Sequence, residues 1–366
     1  MRIIVSGYYG FGNAGDEAML SGIISGMRDA TPDPQFTVLS GDPDHTSRTH
    51  QVESIGRFDF GSLRQVLCDA DLLISGGGNL LQDVTSVRSC LYYLAIVRQA
   101  LKARVPVMLL GQGIGPLRRR WLRALAACYL RRVRGIVVRD SQSALELERW
   151  GVDASMVRVC GDLSLAMRLP EEDAIAQAYR DIGVCDGEPV LAVAPRTWRI
   201  RDLGSDFVSR LASALKQAVA ALEPPARVVL FPMQRQHDDG PCAALARATG
   251  GIVAPAEMAP SLLAAVVGHA RAVVAMRLHA LVFAATGGAV PVAISYDPKV
   301  EAFMNDIGLA VAASAAHINE DRLASAIVEA WDADAECRSA LRQAMAQRRR
   351  TVLETFRWAA ETARLR

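Results

Sequence analysis

Residues 272–299 read AVVAMRLHALVFAATGGAVPVAISYDPK and decide how the chain folds. A short apolar strand runs into an Arg-Leu-His turn, an apolar helix that stops at Gly-Gly, a second apolar strand and a loop that ends in Asp-Pro-Lys. Apolar strands joined by a helix are typical of a parallel sheet. The pattern puts Arg277, His279 and Lys299 at the carboxyl ends of two successive strands, where open parallel sheets bind ligands. Three cationic or cationisable side chains there predict an anionic substrate.

The same alternation extends to both sides of this stretch. IIVS, FTVLS, DLLIS, VPVMLL and GIVV alternate with helical segments in the first half, and VLAVA, RVVLF and GIVA follow in the second. The sequence therefore predicts an α/β protein with two doubly wound Rossmann-like domains facing a cleft, the architecture of GT-B-type transferases. We expect a first domain at 1–168, an acidic linker at 169–188 that carries one helix, a second domain at 189–345, and a C-terminal helix at 346–366 that packs back on the first domain.

Local boundaries follow from the same patterns. The first strand is predicted to end near Ser6, because Gly7 and two tyrosines follow it. The polar segment 41–50, GDPDHTSRTH, has turn chemistry throughout. One long arginine-rich helix is expected at 118–134, and a shorter helix near 241–249.

The composition is that of a globular protein. Of 366 residues, 51% are hydrophobic and 22% are charged, and a net charge of +2 is too small to predict a nucleic-acid partner. Apolar runs are shorter than a membrane span, and Met1-Arg2 leads directly into a strand, which predicts no signal peptide. Seven scattered cysteines without a C-x-x-C pair argue against a zinc site or a disulfide framework, so we expect a cytoplasmic protein with reduced thiols.

Lysine is rare in this chain. Only Lys102, Lys216 and Lys299 stand among 41 basic residues, so arginine is the default cation. A lysine at a candidate site therefore suggests a need for a compact ammonium group.

The loop after the first strand contains a formal G-x-G-x-x-G at 10–15. A dinucleotide site needs its first glycine directly at the strand end and an acidic residue about 20 positions later. A strand ending near Ser6 and a late Asp42 argue against that site, and the amides of this loop can instead bind an anion at the helix start. Asp16 and Glu17 are either ordinary acidic residues of the first helical turn or acceptor-side carboxylates, one of them a general base.

Polar side chains follow several other strands. Asn79 and Gln112 lie in the glycine-rich segments SGGGN and GQGIGP and suit sugar hydroxyls, although sharp turns alone explain most of these glycines. Arg139 and Arg196 end strands in opposite halves and suit bidentate recognition of carboxylate or phosphate. The alternative for Arg139 is a surface arginine paired with Asp140, itself a plausible helix N-cap.

His279 lies at the start of an apolar helix. The positive end of a helix disfavours a protonated imidazole, which argues against a general acid, but a bound phosphate dianion reverses that effect. On a regular helix Arg277 and His279, two residues apart, would not face one ligand, so Arg277 must precede the helix if both bind it. We therefore favour His279 over Arg277 as a catalytic residue.

The segments GNAGDEA, SGGGNLLQD, GQGIGPL, VVRDSQSA, GDLSLAM, MRLHAL and SYDPK, in this order, resemble the polysaccharide pyruvyl transferase family and its bacterial cell-wall branch. The resemblance implies transfer of pyruvate from phosphoenolpyruvate to a sugar, with a cyclic ketal and phosphate as products and no metal or other cofactor. It implies that Arg139, His279 and Lys299 contact phosphoenolpyruvate, with Asn13 and Gly15 nearby. The expected acceptor is β-linked N-acetylmannosamine on a lipid-linked disaccharide, with the first domain on the acceptor side and the second on the phosphoenolpyruvate side.

The resemblance and the cations together suggest a mechanism. His279 would protonate the methylene carbon of phosphoenolpyruvate, while Arg139 and Lys299 hold its phosphate and carboxylate. Further substrate contacts are expected from Asn13, Gly15, Asp16, Glu17, Asn79, Gln112, Arg196 and Arg277. Two alternatives stay open: a GT-B glycosyltransferase that uses a nucleotide sugar, and a non-catalytic module that binds anionic glycans.

The arginine-rich segments 118–134 and 348–366 read first as solvated helix faces. Because Trp121, Phe356 and Trp358 lie within them, the alternative is a peripheral contact with an anionic membrane that carries the lipid-linked acceptor. The sequence leaves the oligomeric state open, a homo-oligomer included.

Overall fold

The computed structural model describes residues 1–84, 86–197 and 207–364. Within those ranges, no helix is both long enough and apolar enough to cross a membrane. The chain divides into two compact units, of which the first is Met1–Arg168 with Gln347–Arg366 and the second is Leu169–Ala346.

The first unit alternates strands and helices along its whole length. Its elements are β1 (Arg2–Tyr9), α1 (Ala14–Ala30), β2 (Gln35–Ser40), α2 (Pro43–His50), β3 (Glu53–Gly56), α3 (Phe60–Cys68), β4 (Leu72–Gly76), α4 (Val87–Lys102), β5 (Val107–Gln112), α5 (Arg120–Leu130), β6 (Gly135–Val138), α6 (Ser141–Arg149) and β7 (Val157–Val159). Short 3-10 helices lie at Ala154–Met156 and Leu163–Ala166.

The second unit repeats the alternation. Its elements are α7 (Glu172–Ile182), β8 (Val190–Ala194), α8 (Phe207–Ala221), β9 (Arg227–Leu230), α9 (Arg235–Thr249), β10 (Ile252–Val253), α10 (Pro260–His269), β11 (Ala272–Ala275), α11 (Leu278–Gly287), β12 (Val290–Ser295), α12 (Pro298–Asp306), β13 (Ala313–Ser314) and α13 (Glu320–Asp332). The last helix, α14 (Ala335–Arg364), begins in this unit, and from Gln347 on it belongs to the first unit. Helix α7 lies within the segment predicted as a linker, and its Tyr179 hydroxyl donates to the carbonyl of Val266 on α10, 2.7 Å away.

The two sheets have the same strand order. In the first it is β3-β2-β1-β4-β5-β6-β7, in the second β10-β9-β8-β11-β12-β13, and neighbouring strands pair in parallel. The predicted pair of doubly wound sheets is therefore confirmed. Successive strands are added towards one edge of the sheet up to β3 and towards the other edge from β4 on, and the second sheet switches in the same way between β8 and β11. Ligands bind outside the carboxyl ends of the strands at such switch points.

Burial explains why the central strands read as continuous apolar runs. Every residue of β4, β5, β8 and β11 is buried, because helices cover both faces of each sheet. Each unit has its own apolar core, built from the inward faces of those helices and strands.

The last helix supplies part of the first unit's core. The ring of Phe356 packs so closely on Gly26 that a Cβ there would lie 2.2 Å from it, and Trp358 packs in the same way on Gly135. Trp358 also stacks under the guanidinium of Arg158 at 4.2 Å. Phe356 is fully buried inside the unit, so the hypothesis that it contacts a membrane is wrong, whereas Trp358 is only partly buried.

The first strand is longer than predicted. It runs to Tyr9, with a shift in its pairing with β2 between Ser6 and Tyr9, and the Tyr9 hydroxyl donates to the carbonyl of Gly76 at 2.6 Å. Gly10 thus follows the strand directly, so the distance from strand to glycine no longer argues against a dinucleotide. The position of the acidic residue still argues against a dinucleotide site, because Asp42 lies beyond β2 and caps α2 by accepting the amide of His45.

The polar segment after β2 is a helix, not a series of turns. Asp42 caps it, Pro43 occupies its first turn, and Gln51 ends it in a left-handed conformation with φ 53°. Proline at a first helical position loses no hydrogen bond, which reconciles the turn-forming residues with a helix.

Two predicted helices have different bounds. Helix α5 is shorter than expected, since the amide of Arg134 already joins the sheet by donating to the carbonyl of Val107. Helix α9 begins at Arg235, so Pro241 lies inside it rather than at its start. Pro241 has no amide to give the carbonyl of His237, which accepts the amide of Thr197 instead, at 3.2 Å.

Candidate active site

The carboxyl edge of the second sheet gathers the predicted cations of the second unit. We call Arg196, Arg277, His279, Tyr296 and Lys299 the cation edge. They follow β8, β11 and β12, the strands at and beside the point where the sheet reverses its winding.

Arg277 lies before the helix, as the spacing argument required. It is the N-cap of α11, with φ −77° and ψ 119°, whereas His279 lies in the first helical turn. The half-buried ring of His279 is centred 6.2 Å from that of Phe283, one turn further along the helix. His279 therefore belongs to an apolar helix and yet lies at the ligand-binding edge.

The guanidinium of Arg277 forms a buried ion pair. Its Nε and Nη2 donate to the two carboxylate oxygens of Asp238 at 3.0 and 2.6 Å, and the side chains are 7% and 0% exposed. Asp238 also accepts the amide of Gln234 at 2.8 Å. Burial raises the pKa of Asp238, and Arg277 opposes that shift. Because its charge is already balanced, Arg277 braces the turn between β11 and α11, which departs from its predicted role as a substrate contact.

Tyr296 lies between Arg196 and Lys299. Its hydroxyl accepts a hydrogen bond from Nη1 of Arg196 at 3.0 Å, and its ring centroid lies 6.0 Å from Nζ of Lys299. Burial, and after it the charge of Arg277, lowers the pKa of Arg196. Lys299 lies 3.4 Å from the carboxylate of Asp297, which also caps α12 by accepting the amide of Lys299.

Sequence reasoning missed Tyr296 of the cation edge and two partners of Arg277, Asp238 and Gln234. Asp238 and Gln234 lie about forty residues before Arg277, and the misplaced start of α9 hid them. Tyr296 lies within the SYDPK segment and could have been chosen, since a tyrosine beside a predicted cationic strand end offers both a hydroxyl and a π face.

The loop after β1 is organised around the start of α1. Asn13 caps that helix by accepting the amide of Gly15 at 3.2 Å, and the amide of Gly10 donates to Oε1 of Glu17 at 2.8 Å. The other oxygen of Glu17 lies 2.9 Å from Nε2 of His50, with both side chains almost fully buried. The structure thus favours the structural alternative for Glu17 over that of an acceptor-side base.

Asp16 lies where β1 and β4 diverge. A Cβ on Gly78 would be 2.9 Å from its Oδ1, so the glycine leaves room for this carboxylate beside the turn after β4. The pKa of Tyr8 is raised, first by burial and then by the negative charge of Asp16. Of the two acidic candidates, Asp16 is therefore the one beside the ligand-binding edge of the first sheet.

Gln112 and Asn79 have different roles at that edge. Nε2 of the fully buried Gln112 donates to the carbonyl and hydroxyl oxygens of Ser75 at 3.0 and 2.7 Å, which ties β5 to β4. Gln112 therefore cannot touch a sugar, contrary to the prediction. Asn79 is exposed and donates to the carbonyl of Gly115 at 2.7 Å, leaving its amide oxygen towards solvent.

Arg139 extends along the same edge. Its side chain is largely buried, its Nε lies 3.4 Å from Asp140, and a Cβ on Gly113 would be 2.9 Å from its Nη2. Asp140 is the predicted N-cap and accepts both the amide and the hydroxyl of Ser143. Arg139 is therefore not a simple surface arginine, since its guanidinium lies against the backbone after β5.

The cysteines and acidic groups offer no metal centre in the ranges that the structure describes. No three His, Cys, Asp or Glu side chains there converge on one point. Burial raises the pKa of Cys90, Cys160 and Cys242 to about 12, so these thiols stay neutral.

A model of the polysaccharide pyruvyl transferase family matches residues 13–298. This chain belongs to that family. The match begins at Asn13, the cap of α1, and ends directly before Lys299, so it spans Arg139 and His279. No curated protein sequence matches the chain significantly.

Solved structures with the same fold are nucleotide-sugar proteins. UDP-GlcNAc 2-epimerase of Neisseria meningitidis bound to UDP-GlcNAc has a TM-score of 0.61 at 10% identity, covering 97% of this chain and 100% of its own. Anabaena HepE in complex with UDP-glucose has 0.62 at 14%, covering 99% and 98%. S. aureus MnaA with UDP has 0.62 at 12%, covering 94% and 91%. They confirm two Rossmann-like domains of GT-B type, and at such identities the likeness extends to the fold alone.

Proposed function

We propose that this family member transfers the pyruvyl group of phosphoenolpyruvate to two hydroxyls of one sugar, forming a cyclic ketal and releasing phosphate. The observation that carries the proposal is the cation edge, where Arg196 donates to the Tyr296 hydroxyl, Lys299 lies beside the ring of Tyr296, and His279 begins the helix after the neighbouring strand. Phosphoenolpyruvate has a phosphate and a carboxylate, and both anions suit such an edge. Family membership supports pyruvyl transfer, and phosphoenolpyruvate as the donor is our inference.

Each group of the cation edge has a proposed task. Lys299 and Arg196 bind the two anionic ends of phosphoenolpyruvate, with Tyr296 aligning Arg196 through its hydroxyl. The ion pair of Arg277 with Asp238 fixes the backbone from which His279 projects. His279 in its imidazolium form is the general acid.

The reaction balances with one acid and one base. His279 protonates the methylene carbon, which becomes a methyl group and leaves positive charge on C2. One sugar hydroxyl adds to C2 as it loses its proton, the C–O bond to phosphate breaks, and the second hydroxyl closes the ketal. One of the two hydroxyl protons returns to His279, and the other leaves through a base to solvent or phosphate.

The first unit supplies the proposed acceptor contacts. Asp16 is our candidate for the base, because it lies beside the glycine turn after β4. Asn79 offers an exposed amide to sugar hydroxyls, and Asn13 and Gly15 form the start of α1 beside them. Arg139 remains a proposed ligand of phosphoenolpyruvate on the strength of the resemblance.

A phosphate-release assay tests the proposal. Purified protein is mixed with phosphoenolpyruvate and glycan acceptors, including a lipid-linked disaccharide that ends in β-N-acetylmannosamine. We expect phosphate in amounts equal to a product that mass spectrometry identifies as the acid-labile pyruvyl ketal. Binding of an anionic glycan without phosphate release from any acceptor would favour the non-catalytic module instead.

The solved structures favour one further candidate, an enzyme that acts on a nucleotide sugar. The same assay separates the two, with UDP-sugars replacing phosphoenolpyruvate as the donor. Glycosyl transfer or epimerisation from a UDP-sugar, with no consumption of phosphoenolpyruvate, would replace our proposal with this alternative.

We further propose that the protein acts at the cytoplasmic face of the membrane that carries its acceptor. Trp121 is 53% exposed at the start of α5, and Arg118, Arg119 and Arg120 flank it. A tryptophan beside arginines suits an anionic lipid surface. Co-sedimentation with anionic vesicles at moderate salt, lost in Trp121→Ala, is the expected result, and equal sedimentation of both proteins would remove Trp121 from the contact.

A further inference from the structure

A guanidinium surrounded by aromatic rings lies at the carboxyl edge of the first sheet. Arg57 directly follows β3, and its central carbon lies 5.2 Å from the ring centroid of Phe11, 5.0 Å from Phe58, 4.3 Å from Tyr92 and 5.8 Å from Tyr93. We call these five residues the Arg57 cluster. It joins the loop after β1, the turn after β3 and the helix α4.

The backbone holds this arrangement firmly. The amide of Arg57 donates to the carbonyl of Ser40 at the end of β2, and its carbonyl accepts the hydroxyl of Tyr92, both at 2.9 Å. Phe11 stacks on Tyr8 with centroids 4.3 Å apart, and it packs so closely on Gly41 that a Cβ there would lie 2.7 Å from its ring. The cluster is therefore preorganised.

The charge of Arg57 has no counter-anion among the residues that the structure describes. Its Nε is buried and makes no hydrogen bond there. Burial, opposed by Arg57, raises the pKa of Tyr92, and burial also raises that of Tyr93, so neither phenol becomes an anion. Ring faces stabilise a cation but do not satisfy its in-plane N–H groups. Arg277 differs from Arg57 in this respect, because the carboxylate of Asp238 pairs with its guanidinium.

The cluster also presents an apolar face. Phe58 is 68% exposed, and Phe60 beside it is exposed too. Exposed aromatic rings grouped at a ligand-binding edge indicate a partner that covers them. A guanidinium without a counter-anion suits a phosphate, and a flat ring suits the C–H face of a sugar.

We propose that the Arg57 cluster is a subsite for a diphosphate-linked glycan, in which Arg57 binds the diphosphate and Phe58 stacks on the adjoining sugar. This subsite rests on the proposed function, because it presumes an acceptor glycan attached to a carrier. A lipid diphosphate and a nucleoside diphosphate share this chemistry, and the test below separates them.

The test compares one disaccharide in three forms: linked to a short polyprenyl diphosphate, linked to uridine diphosphate, and as its methyl glycoside. Arg57→Met should raise KM for both diphosphate forms about 10- to 100-fold, the effect of losing a charge-assisted hydrogen bond. KM for phosphoenolpyruvate and for the methyl glycoside should not change. Phe58→Ala should raise KM for all three forms by about two- to tenfold, since each keeps the sugar.

Arg158→Met is the matched control. Arg158 is also stacked on an aromatic ring, that of Trp358, but it is an exposed residue in the middle of β7 rather than one that follows a strand. We expect no change in any KM. Arg57→Lys, which keeps the charge without the fork, should fall between wild type and Arg57→Met, and it replaces that variant if Arg57→Met does not fold.

Several results would overturn the subsite. An equal effect of Arg57→Met on all three acceptors, or on phosphoenolpyruvate, would make the cluster a structural brace. An effect on only one diphosphate form would contradict a contact with the shared diphosphate and point instead to the lipid or the nucleoside. If wild type releases no phosphate from phosphoenolpyruvate, the proposed function fails, and calorimetric binding of the uridine diphosphate glycan to wild type and Arg57→Met still tests the subsite.

Discussion

The two carboxyl edges share a strand order and each is braced by one buried acid–base pair, yet the pairs differ. In the first unit Glu17 of α1 contacts His50 of α2, and in the second Asp238 of α9 contacts Arg277. A histidine can lose its charge near neutral pH, whereas an arginine cannot. The second edge therefore keeps a fixed pair of charges beneath its other cations, while the first surrounds its pair with glycines, amides and aromatic rings.

This difference fits our proposal that one fold binds two ligands. Strand order fixes where a ligand binds, and the side chains that follow each strand fix its chemistry. Lys299 and Arg196 suit a small anion at the second edge, and Asn79 with the Arg57 cluster suits a glycan at the first. Four predictions test whether the two edges divide the work in this way.

The largest effect is expected at His279. His279→Ala removes the proposed general acid and should lower kcat by about 10²-fold or more, while phosphoenolpyruvate still binds. Phosphate release gives kcat, and calorimetry gives binding. His317→Ala, at an exposed position, is the control, and a His279→Ala enzyme with wild-type kcat would contradict the assignment.

The ion pair beneath the second edge comes next. Asp238→Ala leaves the charge of Arg277 buried without a partner, which should cost about 3–5 kcal/mol of unfolding free energy. Urea unfolding measures it. The double variant Asp238→Ala/Arg277→Met should regain much of that loss because no charge stays buried, and a double variant as unstable as the single one would show that packing, not charge, dominates.

Substitution of Lys299 should change KM for the donor, phosphoenolpyruvate, and leave KM for the acceptor unchanged. Lys299→Ala should raise KM for phosphoenolpyruvate about 10- to 100-fold, because a charge-assisted contact is lost. Lys299→Arg should restore it poorly, since a planar fork replaces a compact ammonium. Lys216→Ala, on the exposed side of α8, serves as the control. A matching rise in acceptor KM would break the division between the edges.

The smallest effect is expected at Glu17. Glu17→Gln weakens a buried contact with His50 and should cost about 1–3 kcal/mol of unfolding free energy without a change in kcat. Asp16→Asn should do the reverse, lowering kcat with little change in stability. If Glu17→Gln lowers kcat as strongly as Asp16→Asn, then Glu17 acts in the reaction as well as in the brace.

The two sheets could be predicted from the sequence because a buried parallel strand shows itself as a short continuous run of apolar residues. Buried parallel strands read as apolar runs, and both sets are where the runs predict them. Boundaries failed where a residue had two compatible conformations. Pro43 and Asp42 are turn formers that also start a helix, and Tyr8 and Tyr9 extend a strand past a glycine.

The site was predictable as far as single residues at strand ends. Lys299 lies in the first turn of α12, the helix after β12, and Arg139 lies directly after β6. The hydrogen-bond partners of the candidate residues were not predictable, because pairing between distant parts of the chain has no local sequence pattern. Arg277 donates to Asp238 of another helix, and Gln112 donates to Ser75 of another strand.

The proline within α9 removes one of two possible donors to a single carbonyl oxygen of the second unit. Because Pro241 has no amide, the carbonyl of His237 is left to Thr197, the residue after Arg196. Any other residue at position 241 would bring a rival donor from within the helix to that carbonyl. The backbone just after Arg196, a proposed substrate residue, is therefore held by a hydrogen bond that depends on a proline more than forty residues later in the chain. Faster hydrogen exchange of the Thr197 amide in Pro241→Ala would reveal that dependence.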